Sequence, residues 1–168
     1  MNINGLNKIL HLLSIPLVAF LILYPSWMYG ELPERIPVHF NLAGEADRWG
    51  GKGHLFVLPG IGIGLYLLLL FLAKSGWLEQ QSEDNATHLP PSMVGYMKLY
   101  LLWSSLTTLA LFATISFQSI NVALGVSDTL AASDLPAYLT AVLLPLPFII
   151  YKNNRDIKRY KTLAPNKD

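Results

Sequence analysis

His39, Asn41, Glu45, Asp47, Lys52 and His54 all fall in one short segment, Gly30 to His54. Two imidazoles and a carboxylate, His39, His54 and Asp47, are a nitrogen and oxygen donor set that could hold a divalent metal such as zinc. A His39–Asp47 pair could also act as a general base. No Ser or Cys stands near them in the segment to serve as nucleophile, so catalysis is not the expected use. The plainer use is structural. His39 and Asn41 can bond the segment's own backbone, and Asp47 can pair with Arg48 or Lys52. A third use is recognition of a ligand or peptide.

The segment carries its own positioning devices. Pro33 and Pro37 stiffen the entry and bias the residues before them to extended geometry. Ile36, Val38 and Phe40 alternate with Pro37, His39 and Asn41. An extended chain puts these two sets on opposite faces. The apolar set is expected to lie on helix ends, leaving His39 and Asn41 on the polar side. Gly44 permits a turn, and Gly50, Gly51 and Gly53 permit a second reversal. Such a loop is expected to be ordered, and ordered loops on a rigid scaffold often carry function.

The scaffold is apolar. Of the 168 residues, 52 % are hydrophobic and only 14 % charged, against about 25 % charged in a soluble domain. The charges cluster between long apolar runs, which makes lipid the expected solvent. Four runs, at residues 9–29, 55–73, 99–119 and 135–151, predict an all-α integral membrane protein with four transmembrane helices. The first run ends in Tyr24, Trp27 and Tyr29, an interfacial anchor that suits a retained helix better than a cleaved signal. The fourth is short, at about 25 Å. Its Pro145 and Pro147 should kink it, and neighbouring helices must then cover the freed carbonyls.

Several classes are excluded or disfavoured. Without cysteine there is no disulfide and no thiolate nucleophile or ligand. Twelve scattered Lys and Arg build no nucleic-acid groove. No span has Asp, Glu, Lys or Arg at its centre, which counts against an ion-coupled pump. Ser104, Ser105, Thr107, Thr108, Thr114 and Ser116 in the third span are expected to bond back to the helix or across to a neighbour rather than line a polar path. Gly60 and Gly64 have the spacing that lets helices approach closely, with a partner in this chain, in a second copy or in another membrane protein. The Asn85-Ala86-Thr87 sequon carries no weight on a cytoplasmic loop.

The motif from Leu32 to Lys52 resembles a family signature. It reads Leu32-Pro33, Ile36-Pro37, His39-Phe40-Asn41, Gly44, Asp47, Gly50 and Lys52. This is similar to the pattern LP-x-x-IP-x-H-F/W-N-x-x-G-x-x-D-x-x-G-x-K of the domain-of-unknown-function family 1648. The resemblance implies a bacterial inner-membrane protein of an uncharacterised family. That family includes an immunity protein against a secreted toxic peptide, which also sequesters a repressor at the membrane. It points to Pro33, Pro37, His39, Phe40, Asn41, Gly44, Asp47, Trp49 and Lys52 as a recognition loop.

Lys8, Lys74, Lys98 and the basic tail at 152–168 fall on one side of a four-span arrangement. Only Arg35, Arg48 and Lys52 fall on the other. Positive charge marks the cytoplasmic side, so both termini should be cytoplasmic and the 30–54 loop outward. Reporter fusions at residues 1 and 168 should both be active in the cytoplasm, and opposite signals would refute four spans.

Overall fold

A computed structural model describes residues 3–76, 78, 80 and 91–163. The sequon and residues 164–168 of the tail lie outside them. The elements run α1 (Ile3–Met28), β1 (Arg35–Phe40), β2 (Ala46–Gly51), a 3₁₀ turn (Lys52–Phe56), α2 (Val57–Lys74), α3 (Pro91–Ala123), α4 (Asp134–Leu143) and α5 (Leu146–Leu163). Four helical stretches are long and apolar enough to cross a membrane: Gly5–Met28, Lys52–Lys74, Met93–Ala123 and Asp134–Arg159. The protein is a mostly helical, multi-pass membrane protein.

Helix α3 is the hub, packing against α1, α2, α4 and α5. Three buried clusters stack along it. Leu10, Ala73 and Leu102 form one; Leu21, Leu109 and Ala113 form the middle one; Leu32, Ile36, Leu55 and Ile120 form the one under the hairpin. Helices α1 and α2 are joined by a polar contact, Ser14 Oγ to Tyr66 Oη at 2.9 Å. Ser14 Oγ donates to the His11 carbonyl at 2.7 Å, so Tyr66 is the donor to Ser14. The hydroxyls of α3 mostly bond back to their own helix. Ser105 donates to the Leu102 carbonyl, Thr108 to Ser104 and Thr114 to Ala110.

The expected close approach through Gly60 and Gly64 is not made among the described residues. A Cβ on either would meet nothing within 4 Å. The tight contact falls between them, at Gly62, where a Cβ would stand 2.7 Å from Phe112 Cβ on α3. Helical period explains this. Gly62 points roughly 200° away from Gly60 and Gly64, at 100° per residue.

The fourth span differs from its expected end at residue 151. The helix runs on to Leu163, so Lys152, Arg155, Lys158 and Arg159 stand on its last turns and shortness is no obstacle. It breaks between Leu143 and Leu146, at Pro145. Pro145 has no N–H for the carbonyl four residues back, that of Ala141. Trp103 supplies the missing donor, its indole Nε1 donating to the Ala141 carbonyl at 2.8 Å. The covering expected from a neighbouring helix is thus made by one side chain on α3.

Trp103→Phe should lower stability by about 0.6–2 kcal/mol, the scale of an interhelical hydrogen bond in a membrane. Pro145→Ala restores a backbone donor to Ala141, so in that background the Trp103 change should cost much less. Denaturation of all four combinations in detergent measures this, and strictly additive losses would refute it.

Candidate functional site

The segment after α1 folds as an antiparallel β-hairpin. Arg35 pairs with Gly51, Ile36 with Gly50, Pro37 with Trp49, His39 with Arg48 and Phe40 with Ala46, with irregularities around His39. The expected alternation is therefore incomplete. Ile36 is buried and His39 exposed, yet Pro37 is buried as well. The break in register between Pro37 and His39 lets two successive residues turn inward. Of the three glycines expected to make a second reversal, Gly50 and Gly51 continue β2 and Gly53 falls in the 3₁₀ turn that follows. Gly50 serves close packing: a Cβ there would stand 2.9 Å from Val38 Cγ1.

The tip is built by Asn41. Its Oδ1 accepts from the Ala43 and Glu45 amides at 2.9 and 3.0 Å, and its Nδ2 donates to Glu45 Oε2 at 2.9 Å. This is the side-chain turn that Asn favours. Gly44, at φ +80°, completes it. The Gly44 carbonyl accepts from the Leu130 amide at 2.8 Å, and Glu45 bridges to Thr129. The tip is thereby sewn to the connection between α3 and α4. Gln118 on α3 holds that connection, accepting from the Ala131 amide and donating to Asp134. The hairpin is clasped at its base by Lys52, whose Nζ donates to Glu34 Oε1 at 2.8 Å and lies 5.1 Å from the Tyr29 ring centroid.

His39 Nδ1 donates to Asp47 Oδ1 at 2.6 Å across the hairpin, with the two side chains 54 % and 44 % exposed. At such exposure the pair adds little stability, about 0–1 kcal/mol. The bond fixes the ring so that its Nε2 is the acceptor when His39 is neutral. His54 behaves alike but elsewhere, its Nδ1 donating to the Gly51 carbonyl at 2.9 Å. Among the described residues no three of His, Cys, Asp and Glu converge to hold a metal ion. His39, Asp47 and His54 thus do not form the three-donor set their types allowed, because His54 is turned onto its own backbone. Pro33 and Trp49 are exposed, while Phe40 is half-buried and faces a cavity beneath the hairpin.

Part of this architecture matches a known family model. Residues 12–63 match the family described as Domain of unknown function (DUF1648). The DUF1648 segment contains most of α1, the whole hairpin, the 3₁₀ turn and the first turns of α2. An uncharacterized protein of Archaeoglobus fulgidus is 42 % identical over 55 residues, which cover 33 % of this chain and 30 % of that protein. The matched stretch thus spans under a third of the relative's length. No solved structure matches the chain. Gln118, Thr129 and Leu130 hold the hairpin from outside the DUF1648 segment and carried no sequence signal, since their role arises only when α3 brings its outer end beside the tip.

Gly44→Ala places a side chain against the Leu130 carbonyl at a left-handed φ, a conformation that costs about 1–2 kcal/mol for a non-glycine residue. Protease cleavage within the hairpin should rise about tenfold, since 1.4 kcal/mol is a factor of ten. Unchanged cleavage would show that the tip is not docked there.

Proposed function

We propose that the protein sits in a bacterial inner membrane with both termini cytoplasmic and presents the hairpin outward to recognise an extracytoplasmic peptide. Immunity to a toxic peptide is one form of that role. The supporting observation is a contrast in how the hairpin is held. Its tip, base and underside are fixed by Leu130, Lys52 and the Leu32–Ile36 cluster, while the outer residues Asp47, Arg48 and Trp49 of β2 are exposed. A two-stranded sheet keeps an open edge on each strand, and an extended peptide can add to such an edge. Trp49 supplies an aromatic anchor there, and the His39–Asp47 pair supplies polar groups. The role is binding rather than catalysis.

A second reading is favoured by α2. Gly60 and Gly64 face away from the chain's own helices, beside exposed Ile61, Leu67, Leu68 and Phe71. A neighbouring membrane protein or a second copy could pack there, making this chain an accessory or sensory subunit.

Cells producing the protein should resist secreted membrane-active peptides, and Trp49→Ala, His39→Ala or Asp47→Ala should each cut protection about tenfold, equivalent to about 1.4 kcal/mol of binding energy. Membrane abundance should hold. Full protection by all three variants would sink the peptide reading. For the second, Gly64→Leu should disperse a complex on native gels, and an unchanged assembly would rule it out.

A further inference from the structure

The cavity beneath the hairpin encloses about 400 Å³. Its walls come from β1, the 3₁₀ turn, the first turns of α2, the outer end of α3 and Leu130 of the connection that follows it. Phe40, Leu58, Ile61 and Ile115 make them largely apolar. No residue of β2 lines it, so the cavity and the open edge of β2 are distinct surfaces that meet at His39, which lines the cavity and pairs with Asp47.

Ser116 also lines this cavity and is 1 % exposed. Its Oγ has no hydrogen-bond partner among the described residues. Thr114, two residues earlier, donates to its own helix, so the helix offers Ser116 a route that it does not take. Buried polar groups are seldom left this way. His39 and His54 line the same cavity, and each has its Nδ1 engaged, which leaves Nε2 as an acceptor on the neutral ring. Ser116 lies seven residues before Ala123, the end of α3, a depth of about 10 Å at 1.5 Å per residue. That places it near the boundary where hydrocarbon meets the interfacial region.

We propose that the cavity binds one acyl-ester chain of an amphiphile drawn from the leaflet on the hairpin's side. The ester carbonyl accepts a hydrogen bond from Ser116 Oγ. The hydrocarbon chain lies against Ile61 and Ile115. A hydroxyl or amine in the head group donates to Nε2 of His39 or His54. The volume lies within the roughly 300–1,000 Å³ of small-molecule pockets. This assignment stands whether or not the outer edge of β2 takes a peptide.

Native mass spectrometry of the detergent-purified full chain tests it, with a monoacylglycerol and its ether analogue, which lacks the carbonyl, as probes. The ester should bind as a single copy and the ether about three- to tenfold more weakly, as for loss of one hydrogen bond. Ser116→Ala should bring the ester down to the level of the ether and leave the ether unchanged. Ile115→Trp, which fills the cavity, should remove both, with an unaltered melting curve as the control for folding. Equal binding of ester and ether by the wild-type chain would overturn the role of Ser116, and does not depend on any variant folding. Undiminished binding by a folded Ile115→Trp chain would overturn the site.

Discussion

A bilayer offers no hydrogen bond to a stray backbone group, and most of this structure follows from that constraint. Four helices satisfy their own ladders. Where proline interrupts one, a side chain must intervene, and Trp103 donates to the Ala141 carbonyl. Where the chain leaves helical geometry altogether, it does so at the end of the bundle, as a hairpin whose strands pair with each other and whose tip pairs with Leu130.

The same constraint explains the position of α3. A helix packed on both α1 and α2 can supply apolar contact along its whole length, and the three buried clusters all include its residues. Helix α4 meets the bundle through α3. Its polar contacts with α3 include the indole of Trp103, the Tyr138–Thr108 hydroxyl pair at 3.3 Å and the Gln118 amide donating to Asp134.

The apolar runs were legible because twenty or so uncharged residues have few uses other than crossing lipid. The turn was legible too, since Asn41 and Gly44 are residues a turn demands. The second strand was not. Arg48, Trp49, Gly50 and Gly51 have no alternating pattern and two glycines, and they form a strand only because β1 lies beside them. Gly62 was passed over for the same kind of reason: spacing singles out Gly60 and Gly64, while Phe112 decides which face is covered. The metal set failed on a local detail, the turn of His54 onto Gly51. Gln118 and Ser116 matter through partners or cavities distant in the chain, and no nearby residue marks them.

The recurring segment of the chain, residues 12–63, ends before α3 begins. Yet the partners that bury it lie on α3: Ile120 closes over Leu32 and Ile36, and Leu109 and Ala113 over Leu21. In this chain the segment is therefore buried largely by residues that lie outside it. Transplanted alone into another protein, it would bring the hairpin's sequence without the surface that gives the hairpin its shape.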